Sequence, residues 1–130
     1  MILLDTQALL WLTTDRQRLS PVAIDCIREG SRRAEVIAVA SSTLWEVAIN
    51  FHKGSIGVPA TLMDYLKGLE QAFQVLPITA SIAERSIRFS KAYPKDPTDR
   101  IIGATAIVHN ARLVTADEKI RASGEVDCVW

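Results

Sequence analysis

Five short apolar runs, separated by segments with helical spacing, constrain the fold of this chain more than any other feature of its sequence. The runs are rich in Val, Ile and Leu and do not alternate cleanly with polar residues, which is typical of strands buried on both faces of a parallel sheet. They lie at residues 2–4, 36–40, 75–78, 113–115 and 126–129.

The segments between these runs predict helices. Some carry apolar residues three and four positions apart, and others begin with capping residues such as Ser20–Pro21 and Asp96–Pro97. The predicted helices cover 6–12, a stretch from Ser20, a stretch from Thr43, 61–73, 80–92, a stretch from Asp96, and 118–122. Strands that alternate with helices predict a three-layer α/β/α fold with a mainly parallel central sheet, in one domain over 1–130.

Composition narrows the class of protein. The 130 residues are 48% hydrophobic and 23% charged, which is the balance of a globular chain. The chain has 15 Lys plus Arg and 15 Asp plus Glu, so its formal net charge is zero. This disfavours a protein that binds nucleic acid through a strong overall positive charge. No apolar run is long enough to span a membrane, and Cys26 and Cys128 do not form a disulfide framework. We expect a cytoplasmic protein with both cysteines reduced and in the core.

Four carboxylates fall at positions that a parallel sheet brings to one edge. Asp5 ends the first strand and Asp117 follows the fourth, while Glu46 and Asp99 lie near the starts of the helices that begin at Thr43 and Pro97. Strand ends and helix starts face the same side of a parallel sheet, where ligands of such folds bind. We therefore expect the four acids to line one cleft.

Each acid also has a structural alternative. Thr43 and Glu46 match the S/T-x-x-E capping box. Asp96 suits a helix N-cap, with Asp99 favoured by the helix dipole, and Asp117 suits the cap of the helix over 118–122. Under this alternative the chain is a non-catalytic binding module whose acidic residues only cap helices.

The clustered acids predict a divalent metal site. Carboxylates crowded together repel one another, and this raises their pKa values and destabilises the empty site. Mg²⁺ or Mn²⁺ suits an all-oxygen ligand shell, and neither His52 nor His109 belongs to a competing cluster. Such a metal supports phosphodiester hydrolysis.

At these residues the sequence resembles the PIN-domain nucleases, most closely the VapC-type toxins of type II toxin–antitoxin systems. The resemblance spans nearly the whole chain. Residues 96–102 are similar to the family's D-P-x-D-R block. The other matching segments are 1–11 with the first aspartate, 42–49 with the glutamate, 53–54 with Pro59, and 113–117 with the fourth acid.

The resemblance implies a Mg²⁺- or Mn²⁺-dependent endoribonuclease, a toxin held inactive by a cognate antitoxin protein, and a homodimer. Asp5 and Asp99 would be the main metal ligands, Glu46 would support the metal or its water, and Asp117 would complete the site or a second metal position. Secondary roles fall to Thr115, which would hydrogen-bond within the site, to Asp96, and to Arg100, which would contact phosphate or neutralise the acids.

Some positions depart from the family pattern, and they concern substrate contacts rather than the metal site. Thr98 stands where the family has an aromatic residue, and Ala40 stands where it has a small hydroxyl residue. Residues 93–95 contain no His or Arg, one of which is frequent there in the family. Candidate RNA contacts are Arg85, Arg88, Lys91, Lys95 and Arg100, for which a solvated helix face is an equal alternative. Trp11 and Trp45 are interpreted as core or interface residues before base-stacking ones.

Two other enzyme classes on similar sheets are disfavoured. A phosphatase of the haloacid-dehalogenase type needs a D-x-D motif after the first strand, and Asp5–Thr6–Gln7 lacks the second acid. A receiver domain needs an early acidic pair and a late lysine, and the chain has neither arrangement.

Overall fold

The computed structural model describes residues 1–130 and contains one five-stranded sheet. The strands are β1 (Ile2–Leu4), β2 (Ile37–Ala40), β3 (Gln74–Leu76), β4 (Arg112–Val114) and β5 (Cys128–Val129). Their order across the sheet is β3-β2-β1-β4-β5, and every neighbouring pair is parallel. The central strand β1 is therefore flanked by β2 and β4, and the three strands end at the same edge.

Seven helices cover the two faces of this sheet. They are α1 (Thr6–Thr14), α2 (Pro21–Arg32), α3 (Ser41–His52), α4 (Leu62–Ala72), α5 (Ala80–Ser86), α6 (Pro97–Val108) and α7 (Glu118–Ser123), with a short 3₁₀ turn at Arg16–Arg18. None of these helices has the length and the apolar composition that a membrane span requires.

The hydrophobic core is split into two clusters by the sheet. Leu3 of β1 points into one cluster, which it shares with residues of α5, α6 and α7, whereas Ile2 and Leu4 point into the other, with residues of α1 to α4. Both faces of the strand are therefore buried, which explains why the strand sequences are uniformly apolar. The predicted three-layer α/β/α fold is confirmed. Cys26 and Cys128 are free and half-buried, at the margins of the two clusters.

The predicted helix over 80–92 is wrong in its second half, because α5 ends at Ser86. The Ser86 hydroxyl donates to the carbonyl oxygen of Ala83 and so satisfies one acceptor of the last turn. Beyond it, the rings of Phe89 and Tyr93 are buried and stack with their centroids 3.8 Å apart. Burial of this pair against α6 outweighs the local helical preference of the segment, so Arg88 and Lys91 lie beyond the helix instead of within it.

Candidate metal centre

The four acids predicted from the sequence line one cleft at the carboxyl edge of the sheet. Leu4 and Val114 are paired residues at the ends of β1 and β4, and Asp5 and Asp117 follow them closely. Glu46 enters the cleft from α3 and Asp99 enters it from the first turn of α6. The cleft has a volume of about 410 Å³ and is lined by Asp5, Thr6, Gln7, Trp11, Glu46, Asn50, Asp99, Ile102, Ala116 and Asp117.

Asp5 is the most buried of the four, with 8% of its surface exposed. It is the N-cap of α1, since its Oδ1 atom accepts a hydrogen bond of 2.6 Å from the backbone N–H of Ala8. Burial raises the pKa of Asp5 to about 6, and the charges of Asp117 and Glu46 act in the same direction. The Thr115 hydroxyl and the Ala8 N–H oppose this rise. Asp5 therefore caps α1 through Oδ1 while its side chain also lines the cleft.

Glu46 does not form the capping box that Thr43 and Glu46 suggest. β2 runs directly into α3, whose N-cap is Ala40, so Glu46 lies in the second turn. Its Oε1 atom instead accepts a hydrogen bond of 2.6 Å from the Thr6 hydroxyl, which lies 3.1 Å from the hydroxyl of Thr43. The capping explanation is therefore wrong for Glu46, and this carboxylate is directed by a residue of α1.

Asp96 and Asp99 have different roles at the start of α6, since Asp96 caps the helix and Asp99 lines the cleft. Asp96 is the N-cap and accepts hydrogen bonds from the backbone N–H groups of Thr98 and Asp99 and from the Thr98 hydroxyl, which hold its pKa below the usual range. Asp99 has no such donors at its carboxylate. Burial, followed by the charges of Asp96 and of the three other acids of the cleft, raises the pKa of Asp99 to about 7.

Thr115 connects Asp117 with Asp5. Asp117 is the N-cap of α7, accepting from the Ile120 N–H at 2.9 Å, and its own N–H donates to the Thr115 hydroxyl oxygen at 3.1 Å. Thr115 is fully buried, and its hydroxyl stabilises the Asp5 carboxylate. Asp117 thus caps a helix and also lines the cleft, so the two roles are compatible.

The negative charge of the cleft has no basic partner in the protein. None of the ion pairs in the chain includes Asp5, Glu46, Asp99 or Asp117. Arg100 forms no ion pair with them, and its Nε–H donates to the carbonyl oxygen of Pro94 at 3.1 Å. Four carboxylates without a counter-charge suit a divalent cation.

The acids surround the cleft without forming a closed ligand set. No three His, Cys, Asp or Glu side chains lie close enough together to hold a metal ion as they stand. A cation here would therefore keep several of its waters, which is usual for Mg²⁺. The carboxylate oxygens of the cleft are the type of ligand that Mg²⁺ and Mn²⁺ prefer, so the residues present fit the predicted metal.

The basic residues predicted to contact RNA fall into two groups. Arg85 lies over the ring of Phe89, with its Cζ atom 4.4 Å from the centroid, and Arg88 pairs with Glu84. Lys91 and Lys95 instead line a second depression of about 940 Å³, which shares Asp99 and Asp117 with the acidic cleft. This depression also includes Lys119, which sequence reasoning missed although it lies two residues after Asp117.

The two tryptophans near the acids differ in burial. Trp11 is half-buried, packs at the margin of one core cluster and lies 5.7 Å from Trp130 between ring centroids. It also lines the acidic cleft. Trp45 is 62% exposed, so it is not a core residue, and its interpretation as an interface residue stays a prediction. It directly precedes Glu46 along α3 and lines a groove beside the cleft, together with residues at the start of α6.

A family profile and a characterised protein match nearly the whole of this chain. The profile of the family described as PIN domain matches residues 2–125. Ribonuclease VapC22 of Mycobacterium tuberculosis is 33% identical over 121 residues, which cover 93% of this chain and 90% of that protein.

Solved structures resemble the whole fold. A toxin–antitoxin complex from Klebsiella pneumoniae has a chain with 25% identity and a TM-score of 0.68, covering 100% of this chain and 97% of its own. VapBC2 from Rickettsia felis, bound to a DNA fragment from its promoter, has a chain with 18% identity and a TM-score of 0.74. The match covers 98% of this chain and 97% of that one. The second likeness concerns the fold alone.

The family profile covers nearly the whole chain, and the full-length relative is a VapC-type protein. The resemblance inferred from the sequence motifs is thereby confirmed, and the chain belongs to the PIN domain family.

Proposed function

We propose that this chain is a metal-dependent endoribonuclease that hydrolyses RNA phosphodiester bonds and acts as the toxin of a toxin–antitoxin pair. The observation that carries the proposal is the set of four carboxylates that line one cleft without any basic partner. Membership of the PIN domain family and the 33% identity to a VapC ribonuclease support the choice of RNA as substrate.

Asp5 and Asp99 are the proposed main ligands of Mg²⁺ or Mn²⁺, with Asp117 completing the site or a second metal position. Both main ligands have raised pKa values, so a cation must displace the protons that they retain near neutral pH. A divalent cation held by these carboxylates would supply Lewis-acid chemistry, lowering the pKa of a bound water and offsetting charge on the phosphoryl oxygens.

The surrounding residues orient these carboxylates. Thr6 donates to Glu46 Oε1 and thereby fixes the position of this carboxylate, which would support the metal or its water. Thr115 holds the backbone of Asp117 and stabilises the Asp5 carboxylate. Lys91, Lys95 and Lys119 lie in the depression next to the acids, where they suit the phosphates of an RNA strand.

An antitoxin protein and a second copy of the chain are the proposed protein partners. The antitoxin is supported by the similarity to chains whose solved structures are toxin–antitoxin or VapBC complexes. The second copy is proposed from the homodimer that the family resemblance implies. Since RNA is the proposed substrate, we place the activity in the cytoplasm. Co-expression with a short open reading frame adjacent to this gene, followed by co-purification, tests the antitoxin partner.

A cleavage assay tests the enzymatic proposal. Wild-type protein should cleave single-stranded RNA in Mn²⁺ or Mg²⁺, and excess EDTA should abolish the cleavage. Asp99→Asn should be inactive, whereas Asp64→Asn, which changes an exposed acid of α4 away from the cleft, should retain wild-type activity. Cleavage that persists in EDTA or in Asp99→Asn would contradict the metal-dependent mechanism.

A further inference from the structure

Trp45 exposes most of its indole ring to solvent although it adjoins the acidic cleft. Its exposed fraction is 62%, whereas tryptophan side chains are highly buried on average. Its helical neighbour Val47 is fully buried, so α3 is anchored in the core without help from Trp45. The exposure of this ring is therefore not required by the packing of the helix.

The ring lies in a groove that continues from the acidic cleft. The groove has a volume of about 340 Å³, which is within the range of small-ligand pockets. It shares Glu46 and Asn50 with the cleft. The residues that line it are Trp45, Glu46, Ile49, Asn50 and Lys53 of α3 and the turn after it, and Asp96, Pro97 and Thr98 at the start of α6.

The groove combines an aromatic face, an amide and a cation with the carboxylates of Glu46 and Asp96. Trp45 is its only aromatic residue, because Thr98 stands where the family resemblance leads us to expect an aromatic side chain. Lys53 belongs to none of the ion pairs of the chain. It lies eight residues after Trp45, which is about 12 Å along a helix axis. An aromatic face with a free cation further along one groove matches a base followed by a backbone phosphate.

We propose that Trp45 stacks on a nucleobase of single-stranded RNA next to the bond that is cleaved, and that Lys53 contacts a phosphate of the same strand. The proposal rests on the proposed nuclease function and adds a base-binding subsite to it. The strand must be single, because a base inside a duplex has no free face to offer. Stacking on an aromatic ring tolerates any base, so this subsite contributes affinity rather than sequence preference.

RNA fits this groove better than a second protein does. The groove opens into the cleft that holds the proposed metal ligands, so a strand that places its phosphodiester there must extend past Glu46 and Asn50. Three of the residues that line the groove are apolar, namely Trp45, Ile49 and Pro97, and the others are polar or charged. Such a lining suits a nucleotide more than the apolar anchor of a protein interface.

Binding in excess EDTA separates recognition from cleavage. The affinity of wild type, Trp45→Phe and Trp45→Ala for a short fluorescein-labelled single-stranded RNA of mixed sequence is measured by fluorescence anisotropy. A strand of the same length without bases is the second probe. Met63→Ala is the matched control, because Met63 is 60% exposed and lies on α4 outside the groove.

Trp45→Ala should weaken binding of the RNA about tenfold, in line with the loss of one base stack, whereas Trp45→Phe should stay within about threefold of wild type. The strand without bases should bind wild type and Trp45→Ala equally, and it should bind Lys53→Ala more weakly. Met63→Ala should match wild type on both probes. Thermal melts establish that each variant is folded, as expected for changes at exposed positions.

Equal affinity of wild type and Trp45→Ala for the RNA would overturn the proposal, as would an equal loss on both probes or no RNA binding by wild type. A change in oligomeric state of Trp45→Ala at unchanged RNA affinity would assign the ring to a protein interface instead. Failure of the nuclease proposal is seen separately, as absence of metal-dependent cleavage by wild type.

Discussion

The Thr6 hydroxyl donates a hydrogen bond of 2.6 Å to the Oε1 atom of Glu46 and so joins the start of α1 to the second turn of α3. Thr6 directly follows Asp5, so a single turn of the chain supplies one proposed metal ligand and the donor that orients another. The bond is almost completely screened from water on the Thr6 side, which is 8% exposed. A hydrogen bond to a charged acceptor in such a place is stronger than one at the surface.

Thr6→Val should lower the rate of RNA cleavage about tenfold, because it removes the donor that orients Glu46 at nearly constant side-chain volume. Hydrogen bonds to charged groups contribute roughly 1.5–3 kcal/mol, and about 1.4 kcal/mol corresponds to a factor of ten. Single-turnover cleavage and Mn²⁺ titration measure the effect. Thr6→Ser, which keeps a hydroxyl, should recover most of the rate, and Thr14→Val, which removes an exposed hydroxyl of the same helix, should have no effect. Wild-type cleavage by Thr6→Val would refute the role of this bond.

Asp5→Asn should abolish metal-dependent cleavage and stabilise the metal-free protein. Asparagine caps helices as well as aspartate does, so the hydrogen bond from Ala8 is kept. The variant loses a buried charge whose pKa is raised to about 6. Thermal melts should show a higher Tm than wild type in EDTA and a smaller rise on addition of Mn²⁺, since a cation stabilises the folded state only if it binds there. A lower Tm in EDTA would indicate that the carboxylate serves structure instead.

The metal-free protein should lose stability as the pH rises from 3.8 to about 7. The pKa values of Asp5 and Asp99 in the folded state, about 6 and about 7, lie above the value of 3.8 for the free side chain. Between these limits the folded state retains protons that the unfolded state releases, so each rise in pH favours unfolding. The contribution is fully present below pH 3.8 and is lost as the pH passes through 6 to 7.

Urea unfolding in EDTA at several pH values measures this slope. For Asp5, a shift of about two pKa units corresponds to roughly 3 kcal/mol at most. The double variant Asp5→Asn, Asp99→Asn should have a flatter profile than wild type, and saturating Mn²⁺ should also flatten the profile of wild type. A wild-type profile with the same slope as the double variant would contradict the raised pKa values.

The sheet and the cleft could be predicted from the sequence because both depend on local patterns. Short apolar runs identify strands buried on two faces, and the residues that follow them must lie at one edge of a parallel sheet. Asp5 and Asp117 are placed in this way, immediately or shortly after β1 and β4. The strand order and the register did not need to be known for the convergence of the acids to be expected.

Other features depend on contacts that no local pattern reveals. The S/T-x-x-E motif at Thr43 suggested a cap, but β2 passes into α3 at Ala40, and only the folded chain brings Thr6 to Glu46. The exposure of Trp45 is a similar case, since a tryptophan beside apolar residues in sequence is usually buried. Glu46 is bound by Thr6, which lies 40 residues away in sequence, and no distant segment packs over Trp45.

Gly103 leaves room on α6 for the stacked rings of Phe89 and Tyr93. A Cβ atom at position 103 would lie 2.8 Å from Cζ of Tyr93 and 2.9 Å from Cζ of Phe89. The stacked rings therefore pack against α6 only because this residue has no side chain. The same stack brings the Tyr93 hydroxyl to the carbonyl oxygen of Asp99, to which it donates at 2.7 Å.

Gly103→Ala should destabilise the protein by about 1–3 kcal/mol, the usual cost of overpacking a core, although alanine favours a helix by itself. It should also reduce RNA cleavage, since displacement of Tyr93 removes a hydrogen bond that fixes the backbone of Asp99. Gly68→Ala is the matched control, because Gly68 lies inside α4 with no atom within 4 Å of its Cβ position. That substitution should stabilise the chain by roughly 0.5–1 kcal/mol and leave cleavage unchanged. Equal stabilisation by both substitutions in urea unfolding would show that the ring stack does not depend on Gly103.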